Sequence, residues 1–209
     1  VLKALMRIRR DCCGIGRNPF DVIAGTSAGA INAAALACRS DDIDGAVGRL
    51  VDTWEGFHAD QVYLADSLGV IRSGARWLTM LSLGWVLARW RRARPKSMLD
   101  NSPLRELLAD LVPVHRLNDM MRGGHLKALA VSASGYGSGL HATFYDTLAD
   151  TAPWNRSQRV AVRQSITIDH LLASSAIPFV FPAIELGLDG RREYFGDGSM
   201  RQSAPISPA

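Results

Sequence analysis

"FDVIAGTSAGAINAAALA", residues 20–37, sets a short run with β-branched residues at its centre directly against an alanine-rich run. The first half, bounded by Pro19 and Gly25, has the length and composition of a buried parallel strand. The second half is nearly all strong helix former. Strand, sharp turn and helix therefore follow one another without a linker, and the joint is Gly25-Thr26-Ser27-Ala28-Gly29, a G-x-S-x-G pattern. A nucleophilic serine needs such a joint, because the tight turn exposes its hydroxyl and the free N–H groups of the following helix favour an oxyanion beside it. Small flanking residues, Gly25 and Gly29, are expected to spare the turn a collision with neighbouring backbone. Alone, the pattern arises by chance in roughly one chain of this length in ten or fifteen. A plain tight turn explains it too, and the strand before and helix after are what favour the nucleophile.

A serine hydroxyl needs a base to take its proton. The histidines are His58, His115, His125, His141 and His170, and none lies in a Gly- or Asp-flanked loop near the C-terminal end, where a triad histidine falls in chain order. They read as structural or solvated. The other choice is a carboxylate, and "FGDGS" places Asp197 at the end of a strand before Gly198. Asp-Gly is also a common turn pair, so Asp197 by itself is undecided.

The chain has 209 residues, 47% hydrophobic and 21% charged, which suits one sizeable α/β unit and argues against disorder. Its three cysteines (Cys12, Cys13, Cys38) form neither a disulfide framework nor a zinc spacing, and a reducing, cytoplasmic setting is the simpler expectation. The net charge of +4 is concentrated in "ARWRRARPK", residues 88–96. Ahead of it, Trp77 to Ala88 is uncharged and too short to span a bilayer, which takes about 20 residues. Residues 77–96, with Trp77, Trp85 and Trp90, suit peripheral contact with anionic headgroups at the inner membrane surface, or a buried helix with a solvated basic end. No nucleic-acid-binding signature accompanies the charge, so no nucleic-acid partner is expected.

Elsewhere, residues 1–10 read as a basic amphipathic helix with Val1, Leu2, Leu5 and Ile8 near one face. Residues 41–60 read as a helix through Ile43, Val47, Leu50, Val51 and Trp54. "SPLRELLADL" reads as a helix with Ser102 as N-cap and Pro103 at its first position. "LKALAVSAS" and "HATFYD" read as a hairpin closed by "GYGSG", "TIDHLLASSAIP" as a helix ending before Pro178, and "REYFGDGS" as a strand running into a turn.

Three blocks, "DVIAGTSAGAINAAALA", "LLASSAIPFVFPAIE" and "YFGDGSMRQSAPISPA", resemble the patatin-like phospholipase family in its nucleophile elbow, its A-S-x-A-x-P helix and turn, and its D-G-[GA] segment. The resemblance implies a three-layer α/β/α fold with a mainly parallel central sheet, in a single unit spanning residues 1–209. It implies lipid acyl hydrolysis by a Ser-Asp dyad without histidine. Ser27 is then the nucleophile and Asp197 the proton acceptor, and Pro178 and Pro182 shape the loop beside them. Phospholipids or lysophospholipids are the expected substrates, with no cofactor and no metal. In place of the family's D-G-[GA] stands Asp197-Gly198-Ser199, a turn that a small serine is expected to preserve. The family's glycine-rich oxyanion loop precedes a helix like "VLKAL", so the chain is expected to begin after that loop and its strand and to be truncated at both ends. Loss of one oxyanion donor costs about 100- to 1,000-fold in turnover, so protein carrying that loop is expected to be the active form. The competing expectations are a Ser-His-Asp carboxylesterase or thioesterase on soluble acyl substrates, and a catalytically silent lipid-binding module.

Overall fold

The computed structural model describes residues 1–13, 18–56, 101–178 and 180–200. The tryptophan- and arginine-rich residues 77–96, His58, Phe179 and the segment after Met200 lie outside them. The first helix, α1 (Leu2–Cys13), runs past Arg10. Leu2 packs on the core and Met6 is buried, while Val1, Leu5 and Ile8 are exposed. On the same helix Arg9 pairs with Asp44 of α3 (Ile43–Glu55). Between them come β1 (Val22–Thr26) and α2 (Ala28–Ala37), the strand and helix of the elbow. Every residue of α2 from Ala30 onward except Asn32 is buried, because short side chains let the helix lie close on β1 and β2.

Further along, α4 (Ser102–Leu111) starts one residue earlier than the sequence suggests: Asn101 is its N-cap, and Ser102 and Pro103 are both helical. First-turn N–H groups have no intrahelical acceptor, so a proline at the second position sacrifices nothing. A short α5 (Leu117–Arg122) leads into β2 (Ala128–Gly135), and β3 (His141–Thr147) returns beside it through the glycine-rich turn. Then follow β4 (Trp154–Arg156), β5 (Arg159–Arg163), α6 (Ile168–Ser175), β6 (Ile184–Leu188) and β7 (Arg191–Asp197).

One sheet joins the strands in the order β4-β5-β3-β2-β7-β6, with β1 also paired to β2. Only β1–β2 and β3–β5 are parallel; β2–β3, β2–β7, β4–β5 and β6–β7 are antiparallel. The expected mainly parallel sheet is therefore corrected: among the described residues it is mostly antiparallel. The cause is connection length, since β2–β3, β4–β5 and β6–β7 are joined by turns too short for a crossover. The fold remains a mixed α/β one, with α2 and α6 packed together against the sheet and Leu129, Val131, Phe144, Leu171, Leu172 and Phe195 in its core. Among the described residues no helix is long and apolar enough to cross a membrane.

One detail of the sheet positions the site. β3 runs along one edge of β2, while β1 and β7 divide the other. β1 runs parallel to β2 and ends with Thr26 opposite Ser132. β7 runs antiparallel and ends with Asp197 opposite Ala133, the next residue of β2. The C-terminal ends of two strands distant in sequence thus meet at one point.

Candidate active site

Ser27 follows β1 with φ 54° and ψ −133°. A side chain held in this region costs about 1–3 kcal/mol and persists only where the surroundings impose it. Ser27 is also the N-cap of α2, yet its hydroxyl makes no capping bond to the helix. It donates instead to Asp197 Oδ2 at 2.9 Å. The sequence-predicted serine and aspartate, 170 residues apart, are therefore in direct contact.

Asp197 is 5% exposed and held on three sides. Its Oδ1 accepts the Ser199 N–H at 2.8 Å, and its own N–H donates to the Ala176 carbonyl at 2.9 Å. Gly198 lies so close to β1 and β2 that a Cβ there would sit 2.3 Å from Thr26 Oγ1 and 2.4 Å from the Ser132 carbonyl oxygen. Ser199 is exposed, which explains why a side chain is accommodated in this turn. The Ser27 N–H donates to Ser174 Oγ at 2.8 Å, and that hydroxyl donates to the Ser132 carbonyl at 2.6 Å.

The two motif glycines are not equivalent. A Cβ on Gly25 would meet the Gly29 carbonyl oxygen at 2.2 Å and Ala30 Cα at 2.6 Å, whereas one on Gly29 would meet nothing within 4 Å among the described residues. The expectation that both flanks relieve a collision is thus corrected to Gly25 alone. Ala28 and Gly29 are exposed, and the helix start they form presents N–H groups beside the serine. Phe20, Val22, Ala24, Gly29, Ala33 and Leu36 line part of an apolar groove of about 290 Å³ next to the elbow. Pro178 and Pro182 flank a turn closed by bonds from the Val180 and Phe181 N–H groups to the Ile177 carbonyl.

No described histidine is hydrogen-bonded to Ser27 or Asp197: their side chains bond to each other and to the Ser199 N–H, and their backbone N–H groups to Ser174 and Ala176. His115 is exposed, His125 is half-buried, and His141 is buried on β3. His170 is buried on α6, where Nδ1 accepts the Thr167 N–H at 3.1 Å in a capping box. Burial pushes its pKa down to about 4, against a smaller opposing pull from Asp169. A histidine that is harder to protonate folded than unfolded stabilises the fold fully above about pH 6.5, and the contribution is lost as pH falls toward about 4. Wild-type stability in denaturant titrations is expected to fall over that window more steeply than that of His170→Gln. Glutamine keeps a capping-box acceptor at this position but does not titrate. Parallel pH profiles would show that His170 protonation is not what the buried site resists.

The sequence did not single out Ser174 or the carbonyls of Ser132 and Ala176. No sequence signal separates Ser174 from Ser175; in the structure Ser174 falls one turn after His170 on the buried stripe of α6, where a polar side chain needs a partner. A strand–turn–helix joint is where α/β hydrolases hold a nucleophilic serine; here the serine hydroxyl is bonded to a buried carboxylate rather than to a histidine. A family model described as patatin-like phospholipase matches residues 1–209, the whole chain, and the chain belongs to that family of lipid acyl hydrolases, which act on lipid esters. A search of curated proteins returned no match.

Proposed function

We propose that the protein cleaves fatty-acyl ester bonds of phospholipids or lysophospholipids, with Ser27 as nucleophile and Asp197 as its base. The observation that carries this reading is the 2.9 Å bond from Ser27 Oγ to Asp197 Oδ2. Ser27 Oγ attacks the ester carbonyl carbon and its proton passes to Asp197. The oxyanion forms beside the first-turn N–H groups and positive dipole end of α2. Collapse breaks the bond to the alcohol, which leaves with the proton from Asp197, and the acyl group stays on Ser27. A water then gives a proton to Asp197 as its oxygen attacks the acyl carbon. Fatty acid departs and Ser27 recovers its proton. The acyl chain would lie in the apolar groove beside Gly29, and residues 77–96 would meet the lipid surface.

Fatty-acid release from phosphatidylcholine vesicles tests this, using protein prepared from its full coding sequence and the Ser27→Ala variant. Release by the wild type and a loss of at least about 1,000-fold in the variant is expected, since the covalent route is removed. Equal release by both would exclude Ser27. Lipid binding without release by either would turn the reading to a silent lipid-binding module.

A further inference from the structure

The last turn of α6 touches the backbone of both members of the pair. Ser174 Oγ accepts the Ser27 N–H, and two residues later the Ala176 carbonyl accepts the Asp197 N–H. Ser174 is fully buried, and its hydroxyl proton is already committed to the Ser132 carbonyl. Ser132 is the β2 residue opposite Thr26, one place from the residue opposite Asp197. A single hydroxyl thus ties the elbow, the central strand and α6 together at the point where the two strand ends converge.

We propose that Ser174 is a positioning residue for the acyl-transfer site: it holds the Ser27 peptide in the left-handed conformation that aims Oγ at Asp197. This rests on the reading of Ser27 and Asp197 as the reacting pair. The physical reason is the strain at Ser27. A non-glycine residue at φ 54° relaxes unless something opposes it, and the Ser27 N–H is the group whose direction changes when φ changes. With its acceptor fixed at 2.8 Å, rotation about N–Cα breaks a buried hydrogen bond. Without the acceptor the elbow is free to relax, and Oγ to leave Asp197.

The neighbouring serine supplies the control. Ser175 is half-buried on the same turn, but its hydroxyl bonds back to the Leu171 carbonyl of its own helix and does not touch the elbow. Nothing in the order Ala173-Ser174-Ser175-Ala176 distinguishes the two; the burial of Ser174 and its bond to Ser27 do.

The test compares wild type, Ser174→Ala, Ser174→Thr and Ser175→Ala in protein from the full coding sequence. Two rates are read: acyl turnover of a soluble short-chain ester, and covalent labelling of Ser27 by an alkyl fluorophosphonate. Ser174→Ala is expected to lower kcat and the labelling rate together by about 100-fold, as a small displacement of a reacting group does, with KM near wild type. Ser174→Thr, which keeps the hydroxyl, is expected to recover most of the rate, and Ser175→Ala to react like wild type. Should Ser174→Ala not fold, Ser174→Cys carries the test, because a thiol is a poor acceptor of similar shape. Ser174→Ala or Ser174→Cys labelling at the wild-type rate would overturn the proposal, as would an equal loss in Ser175→Ala. Failure of the lipid reading looks different: wild type would label with the fluorophosphonate yet release no fatty acid from phospholipid.

Discussion

Replacing Asp197 by asparagine is expected to lower acyl turnover by about 100- to 10,000-fold, the range that a general base contributes, while the fold and substrate affinity stay close to wild type. The two carboxylate oxygens have separate partners: Oδ1 accepts the Ser199 N–H and Oδ2 accepts the Ser27 hydroxyl. In asparagine, the oxygen keeps the Ser199 bond and the amide NH₂ falls opposite Ser27. The turn therefore survives, but the hydrogen bond at the serine reverses, with NH₂ donating to Oγ. A hydroxyl that must accept there has no group to take its proton. The measurement is kcat and KM on a short-chain ester, with a thermal melt to show that the protein is folded. Turnover within about threefold of wild type would mean that another group is the base.

The local half of this site could be read in the sequence, and the non-local half could not. Strand, turn and helix around Ser27 follow from adjacent residues, as does the turn at Asp197-Gly198. That the two meet depends on β1 and β7 sharing an edge of β2, and pairing between segments more than 150 residues apart leaves no mark in either segment. The mainly parallel sheet is what the family resemblance implies, whereas in the residues themselves "LKALAVSAS" and "HATFYD" already read as an antiparallel hairpin. Further antiparallel signals were present: Ile184, Leu186 and Leu188 alternate along β6, and Asp189-Gly190 with positive φ at both positions closes the β6–β7 hairpin. The edge pair β4–β5 is harder to see, because β4 has three residues, two of them exposed. At α1 the apolar residues do fall at helical spacing, yet much of the expected stripe faces outward: Val1, Leu5 and Ile8 are exposed, while Met6 is buried and Arg9 pairs with Asp44. Ser174 marks the limit of pattern reading, since two successive serines on one helix differ only in which way the helix faces.

The elbow glycines give a second large expected effect, and it is one of opposite outcomes. Gly25→Ala is expected to destabilise the protein by about 3 kcal/mol, near the upper end of overpacking costs, which for a chain of this size lowers Tm by about 6–12 °C. The atoms that its Cβ would strike, the Gly29 carbonyl oxygen and Ala30 Cα, are backbone of α2, so no side-chain rotation relieves the contact. The strand and helix must separate, and they carry the serine with them. Gly25 therefore serves close approach, while the left-handed conformation falls on Ser27 itself. Gly198→Ala is expected to act in the same direction, because its Cβ would meet Thr26 Oγ1 and the Ser132 carbonyl and displace Asp197 from the serine. Gly29→Ala has open space among the described residues and sits in the first turn of a helix, where alanine is favoured by up to about 1 kcal/mol. Thermal melts of the three variants decide the matter. A large drop for Gly25→Ala with no drop for Gly29→Ala is the signature of a strand–helix contact at the elbow, and equal losses at both positions would place the constraint in the turn conformation instead.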